Sequence, residues 1–285
     1  MLPLAIGGAH EMATEKDGVP LPTEAERLHE GPTALAPQSA LDRVKTLMTR
    51  RSILAAMIAF ACMPRLARAG SDLPSEVAGI RLPRSTLAVS AEQFARQKCP
   101  LFLFNHCMRT FLFGAVAMEH HGSTYSADNA FVAASLHDLG LLKEFASAEG
   151  SFEVDGAERA ARFAQANGAS ASAADDVWHA IALHDARFAL VERAGSAAML
   201  VAMGAGSDVL GPDAEMIDPK RSAEIVSAFP RLEFKKQFTA LLVDHCRRKP
   251  LSQRSTWLEG LCREKSPSAW SAKLEDEIAA APFIE

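Results

Sequence analysis

The part of the chain that most constrains its fold is a strongly apolar stretch of helical length, from Leu101 to His121. It carries polar side chains at Asn105, His106 and Arg109, which would lie on nearly one face of a helix because residues three and four apart are neighbours there. No later stretch alternates between apolar and polar residues with a period of two, so we expect no β-strands. The sequence therefore predicts one all-α domain from about residue 85 to residue 285, a helical bundle that can hold a site in its core.

Local signals place further helices after this stretch. Asp128 is predicted to cap a helix over residues 129–140, which Gly140 would end. Asp155 stands three residues before a glutamate, the spacing of a capping box, and is predicted to open another helix. Asp218, followed by proline, predicts the start of a third, and residues 232–249 form the next before a proline stops it.

The first 47 residues differ in composition from the rest of the chain. They contain several glycines and prolines and no sustained apolar period, which predicts a disordered leader over residues 1–47. Residues 48–69 combine paired arginines, an uncharged stretch and an Ala-x-Ala ending, the layout of a twin-arginine-type signal peptide. Because such signals begin near the start of a protein, translation from Met48 instead of Met1 is an open alternative, which would make the leader a gene-model artefact.

The uncharged stretch of the signal runs over residues 53–63, and these 11 residues are too few for a membrane-spanning helix, which needs about 20. We therefore expect no stable membrane span; a buried core helix with a basic flank is the alternative interpretation. The signal predicts a periplasmic or otherwise exported protein, or a cytoplasmic one if it is not used. The cysteines that can pair in an oxidising compartment, with a connectivity that spacing leaves open, are Cys99, Cys107, Cys246 and Cys262.

Composition excludes several classes of partner. The formal net charge is −5, so no overall basic field draws the chain to nucleic acid. The chain has 15 phenylalanines and a single tyrosine, which argues against a platform for stacking bases. We therefore expect a small-molecule substrate, with the oligomeric state left open.

Four polar residues stand in or next to apolar helical segments: His106, the adjacent His137 and Asp138, and Asp208. Burying an imidazole or a carboxylate in such surroundings is unfavourable unless the group is paired or binds an ion. Side chains from separate helices can converge in the core of a bundle. Mixed nitrogen and oxygen donors suit a divalent first-row metal ion better than calcium.

This order of a histidine, a His-Asp pair and a final aspartate resembles the HD superfamily of metal-dependent hydrolases. Within it, residues 100–250 are similar to the cyanamide-hydratase-like branch. The segments that carry the likeness are Asn105-His106, Leu136-His137-Asp138-Leu139-Gly140, Phe152-Glu153-Val154-Asp155-Gly156-Ala157, Ala180-Ile181-Ala182-Leu183-His184, Asp208-Val209-Leu210-Gly211, Phe229-Pro230-Arg231 and Lys249-Pro250.

The resemblance implies one divalent ion, with zinc favoured and iron, manganese, nickel and cobalt as alternatives. The side chains that it implies as ligands are His106, His137, Asp138 and Asp208. It also implies that His184 faces the substrate or a metal-bound water, and that His184 or Asp138 moves a proton. We predict that Arg109 acts beside them, by holding Asp138 or another carboxylate in place, or that it pairs with Glu144.

Two positions depart from the branch pattern. Asp185 stands where the branch usually has threonine, and His179 stands where we would expect a carboxylate or another polar residue. Both lie beside the expected pocket, so they bear on the substrate more than on the ion. Glu153 and Asp155 are interpreted as loop and cap residues.

The resemblance implies a hydrolase or hydratase in which metal-bound hydroxide attacks a small, neutral substrate such as cyanamide or another nitrile. A phosphohydrolase acting on a nucleotide or other phosphate ester is the alternative, but it would need several converging cations, and the motifs have only Arg109, Lys143 and Arg187 nearby. A non-catalytic metal-centred binding protein is the third hypothesis.

Overall fold

The helical prediction is confirmed for the part of the chain that the computed structural model describes, residues 71–213, 215–271 and 274–282. These residues belong to one compact unit, which is all-α apart from a short hairpin. The predicted leader, residues 1–47, and the predicted signal, residues 48–69, lie outside the described residues.

The elements follow one another with short connections. The hairpin strands are β1 (Glu76–Val77) and β2 (Ile80–Arg81). The helices are, in chain order, α1 (Thr86–Lys98), α2 (Leu101–His120), α3 (Ala127–Leu136), α4 (Phe152–Ala166), α5 (Ala171–Ala182), α6 (Phe188–Arg193), α7 (Ser196–Leu210), α8 (Pro219–Ala228), α9 (Phe234–Arg248), α10 (Glu259–Lys265) and α11 (Leu274–Ala279). Short 3-10 helices occur at Leu139–Leu141 and Pro267–Trp270.

The prediction that the domain has no strands is wrong for the hairpin, where β1 and β2 pair antiparallel. The two residues between them, Ala78 and Gly79, both have positive φ, 51° and 80°, as a tight hairpin turn of this kind requires. The Ala78 carbonyl also accepts a hydrogen bond from Arg221 Nε of α8 at 2.9 Å. Two-residue strands are too short to show a period of two, so the sequence pattern could not reveal them.

Helix α2 is the central helix of the bundle and is buried from Phe102 to Met118. It packs most extensively against α7, and two glycines allow the close approach. A Cβ atom at Gly114 of α2 would overlap the carbonyl oxygen of Leu200, and one at Gly204 of α7 would overlap that of Thr110. The backbones therefore meet directly, which sets the polar residues of α2 beside the end of α7.

Among the described helices, α2 is the one that is long and apolar enough to cross a membrane by length and composition. Of its most apolar 18-residue window, 94% is buried inside the protein. The core helix of a globular bundle passes the same test, so this property is explained by packing.

Three predicted helix limits are wrong. Helix α3 is capped by the Ser126 hydroxyl and not by Asp128, and it ends before Gly140, at Leu136. Helix α4 begins at the Ser151 cap, so Asp155 lies inside its first turns. A Cβ atom at Gly140 would overlap the Phe152 carbonyl oxygen, so this glycine allows the chain after α3 to pack against the start of α4. By contrast, the Asp218 cap is confirmed: its carboxylate accepts from the Lys220 backbone N–H at 2.6 Å.

The structure assigns the cysteine pairing that the spacing left open. Cys246 of α9 and Cys262 of α10 form a disulfide. Cys99 and Cys107 are buried free thiols. The disulfide ties the C-terminal helix pair together and lies apart from the polar residues of α2.

Candidate metal centre

Three of the predicted ligands meet in the core of the bundle. His106 comes from the middle of α2, while His137 and Asp138 follow the last residue of α3, where the helix gives way to a 3-10 turn. Each side chain is at most 2% exposed. His106 Nε2 lies 3.3 Å from Asp138 Oδ2, and His137 Nε2 lies 3.4 Å from the same oxygen. One ligand atom from each residue lies within 4.8 Å of the other two, so this group could hold a metal ion.

Two atoms of this group are buried without a partner. His106 Nε2 and Asp138 Oδ2 make no hydrogen bond within the described chain. Buried polar atoms in native proteins are nearly always satisfied, and leaving one unsatisfied costs about 1–3 kcal/mol. A cation that accepts lone pairs from both atoms would remove that cost. The donor set therefore fits a divalent ion.

The hydrogen bonds behind the three cavity-facing histidines fix which nitrogen is free. His137 Nδ1 lies 2.9 Å from the Ala134 carbonyl oxygen, and His184 Nδ1 lies 2.6 Å from that of Ile181. A carbonyl oxygen only accepts, so each Nδ1 must carry the proton and donate it. His106 Nδ1 donates in the same way to Asp208 Oδ2, at 2.7 Å. In the neutral form all three rings then carry a lone pair on Nε2, the form that binds metals.

The charges of the group favour a cation. Burial raises the pKa of Asp138, but His137 and His106 more than offset this and lower it to about 2, so the carboxylate is ionised at neutral pH. Burial lowers the pKa of His137 to about 4, so that ring is neutral. Burial also opposes the charged form of His106, yet the hydrogen bond to Asp208 and the negative charges of Asp208 and Asp138 raise its pKa above the usual value. A proton and a metal ion would thus compete for the same nitrogen.

Asp208, the predicted fourth ligand, is not part of this group. It lies near the end of α7 on the far side of the His106 ring, and both of its oxygens already accept hydrogen bonds. Oδ2 accepts from His106 Nδ1 and Arg109 Nη2, each at 2.7 Å. Oδ1 accepts from Arg109 Nε and Arg231 Nη1, also at 2.7 Å. In this structure Asp208 therefore orients the first histidine and does not face the ion position.

Arg109 lies behind the site and not at its surface. It is fully buried, one turn after His106 on α2, and forms a two-pronged ion pair with Asp208. Its Nη1 donates to the Phe229 carbonyl oxygen at 2.9 Å. The predicted choice between a carboxylate and Glu144 is thus settled: Arg109 holds Asp208, while Glu144 pairs with Lys98. If Arg109 takes part in the reaction as predicted, it acts through Asp208 and not by direct contact with the substrate.

A small cavity opens onto the group. Its volume is about 210 Å³, the liquid volume of about seven water molecules at roughly 30 Å³ each. Much of its wall is apolar, with Phe152, Phe238 and one face of α7 among the lining. No lysine or arginine lines it among the residues that the structure describes. The histidine and acidic side chains at its wall are His106, His137, Asp138, His184 and Asp185.

His184 lies at the cavity wall beside His137. Its ring centroid lies 5.1 Å from that of His137. It is buried, with its Nε2 edge available to the cavity once Nδ1 donates to the backbone. His179 is half-exposed and bonds its own helix through the Asp175 carbonyl oxygen, so it takes no part in the cavity.

The sequence analysis did not predict that Glu153 and Asp155, interpreted as loop and cap residues, are buried. Asp155 forms a buried ion pair with Lys249 at 2.6 Å, and Glu153 lies near Asp185. The only sequence signal for these contacts was that the segments containing them belong to the family likeness.

No protein-family model matches the chain. No curated protein matches it either. The family resemblance therefore stays a prediction, and the geometry of the site carries the functional hypothesis.

Proposed function

We propose that this protein is a metal-dependent hydratase or hydrolase of the HD superfamily, similar to cyanamide hydratases, which acts on a small neutral substrate such as a nitrile. The observation that carries the proposal is the convergence of His106 Nε2, His137 Nε2 and Asp138 Oδ2 at the wall of a small cavity. Two of these atoms are buried and have no other partner within the described chain.

His106, His137 and Asp138 would hold the ion. Two imidazoles and one carboxylate, with a position left open, are a donor set typical of catalytic zinc, and zinc is therefore the ion that we propose first. Iron, manganese, nickel and cobalt accept similar donors. When bound, such an ion supplies Lewis-acid chemistry and lowers the pKa of water from 15.7 toward about 7.

His184 is the residue that we assign to proton movement. Its Nε2 has a free lone pair on the cavity side because Nδ1 donates to the Ile181 carbonyl oxygen. It can take a proton from the attacking water as the oxygen–carbon bond forms. The same proton can then pass to the nitrile nitrogen, which receives the electron pair of the opened carbon–nitrogen π bond, and an imidic acid forms. Transfer of its remaining hydroxyl proton to that nitrogen gives the amide with no other co-reactant.

The charge of the cavity supports a neutral substrate over a phosphate ester. A phosphoryl group is typically held by several arginines or lysines, and none lines the described cavity. Arg109 and Arg231 are engaged with Asp208 on the other side of His106. The cavity volume also favours a molecule of a few heavy atoms over a nucleotide.

The test is metal analysis and activity of the purified full-length protein. We expect one tightly bound divalent ion per chain and hydration of cyanamide to urea, with both lost in His137→Ala. His120→Ala is the matched control, because His120 is an exposed histidine at the end of α2. Turnover of a generic phosphodiester instead of nitriles would replace the hydratase proposal with phosphohydrolysis, and a bound ion without turnover would indicate a binding protein.

A further inference from the structure

A second buried acidic pair borders the cavity apart from the proposed ion. Glu153 lies in the first turn of α4 and Asp185 lies in the connection after α5. Their carboxyl groups are within hydrogen-bonding reach of each other. Glu153 Oε1 and Asp185 Oδ2 are both buried and have no other hydrogen-bond partner within the described chain. A proton shared by the two carboxyl groups would satisfy both of these atoms, since a protonated carboxyl group can donate to a carboxylate.

Burial favours the protonated form of the more buried member. Burial, together with the hydrogen bond to Asp185, raises the pKa of Glu153 to about 8. Glu153 is 1% exposed and is absent from the described cavity wall, whereas Asp185 lines the cavity. Asp185 is therefore the member of the pair that presents its carboxyl group to the cavity.

The surroundings of the pair hold it in place without neutralising its charge. Gln253 Nε2 donates to Glu153 Oε2 at 3.2 Å from behind, and the indole of Trp257 is in hydrogen-bonding contact with Asp185. No lysine or arginine forms an ion pair with either carboxyl group among the ion pairs of the described residues. The carboxylate at the wall thus has acceptor capacity that the protein leaves unused.

We propose that Asp185 is a specificity-determining residue that accepts hydrogen bonds from an N–H-bearing end of the substrate, and that Glu153 is the positioning residue that holds it. The substrate class is then a small amino-nitrile, amide or amidine in preference to its N-alkylated counterpart. The inference rests on the proposed function for its turnover test and on the cavity alone for its binding test. A site built to bond an N–H group disfavours an analogue that lacks it, because the buried acceptor then stays unpaired.

The first test compares cyanamide with dimethylcyanamide, which keeps the nitrile and lacks the N–H group. We expect the full-length protein to favour cyanamide at least tenfold in kcat/KM. In Asp185→Leu the ratio should fall below about threefold through a higher KM for cyanamide. Asp185→Asn keeps an acceptor oxygen but loses the charge, so its ratio of kcat/KM values should lie between those of the unsubstituted protein and Asp185→Leu. It replaces the leucine variant in this test if that variant does not fold.

Variants of Glu153 test whether this residue positions Asp185 through a hydrogen bond or only contributes to folding. Glu153→Gln still donates a hydrogen bond to Asp185 and should keep the substrate ratio within threefold of the unsubstituted protein. Glu153→Ala removes the donor and should lose most of the ratio at unchanged metal content. Glu224→Gln is the matched control, because Glu224 is exposed on α8.

A binding test distinguishes failure of this inference from failure of the proposed function. Calorimetry with acetamide, acetamidine and N,N-dimethylacetamide needs no turnover, and tighter binding of the N–H-bearing probes is expected even if no nitrile is hydrated. The inference is overturned if the unsubstituted protein shows no such preference, or if Asp185→Leu keeps it. It is also overturned if a second divalent ion per chain is found and is lost in Asp185→Leu, because the pair would then be a metal site.

Discussion

Asp208 and Glu153 are both buried carboxyl groups, but their surroundings shift their pKa values in opposite directions. Asp208 is surrounded by Arg109, Arg231 and His106. Burial alone would raise its pKa, but the hydrogen bonds from His106 and Arg109 lower it far below the usual range. Glu153 has another carboxyl group and an amide as neighbours, and its pKa rises to about 8. Burial is thus common to both sites, and the charge of the neighbours decides whether the acid is ionised.

The difference divides the cavity into two functional sides. On the histidine side, Asp208 and two main-chain carbonyl groups accept hydrogen bonds from the Nδ1 atoms of the three imidazoles, which leaves the Nε2 lone pairs for a cation. On the acid side, an uncompensated pair keeps a proton and leaves acceptor capacity for a ligand. One wall therefore suits an ion and the other suits the N–H groups of an organic molecule.

The largest expected effect comes from removing a compensated carboxylate. Asp208→Ala would leave the fully buried Arg109 without its counter-charge, so we expect the free energy of unfolding to fall by about 3–5 kcal/mol. Chemical denaturation of the full-length protein measures this. Asp244→Ala is the control, since the Asp244–Arg248 pair is partly exposed and should contribute at most about 1 kcal/mol. Similar losses in the two variants would contradict the importance of compensation.

The second largest effect is on metal affinity, which should depend on the histidine side of the cavity and not on the acid side. Asp208→Asn weakens the hydrogen bond that orients His106, so we expect the affinity for zinc to fall about 10- to 100-fold. Asp185→Asn changes a residue of the acid side and should alter it by less than about threefold. Competition with a chromophoric chelator measures both values. Equal effects of the two substitutions would show that the division into sides is wrong.

The smallest effect is the pH dependence of stability on the acid side. Between the unfolded pKa of 4.5 and the folded pKa of about 8, the unfolded chain releases the Glu153 proton while the folded chain keeps it. The protein therefore loses this contribution as pH rises, and Glu153→Gln does not. Between pH 5 and pH 8 we expect the variant to gain stability relative to the unsubstituted protein, by at least about 1 kcal/mol.

The same denaturation series also compares Glu153 with Asp208, which should affect stability in the opposite direction as the pH changes. The pKa of Asp208 is lowered, so its contribution to stability is present above its unfolded pKa of 3.8 and is lost as pH falls below that value. Glu224→Gln retains both Glu153 and Asp208, so its curve should run parallel to that of the unsubstituted protein. A Glu153→Gln curve parallel to the unsubstituted protein between pH 5 and pH 8 would mean that Glu153 is ionised in the folded state.

The sequence predicted which ligand residues would meet but not which atoms would face each other. The order of His106, His137 and Asp138 in apolar segments was enough to bring them to one core. The position of Asp208 depends on two guanidinium groups, from α2 and from the segment after α8, that occupy its oxygens before any ion can. Spacing along a chain holds no information on such contacts, so the sequence analysis could not predict that Asp208 accepts hydrogen bonds from His106 and from both guanidinium groups.

The acid side was harder to predict because local signals compete with distant packing. Asp155 has the spacing of a capping residue, but Ser151 provides the cap and Lys249 takes the carboxylate. Glu153 likewise resembles a helix-start residue, whereas its environment is made by Gln253 and Asp185. Side chains far along the chain supply these partners, and only the assembled bundle brings them together.

The direct meeting of the α2 and α7 backbones at Gly114 and Gly204 has a consequence for how this protein can change. The Asp208 carboxylate orients the His106 ring from α7, so the orientation of that ring depends on how closely α7 approaches α2. A side chain at either glycine would push the two backbones apart and move Asp208 away from His106. Two positions without a side chain thus control the orientation of a histidine that neither of them touches.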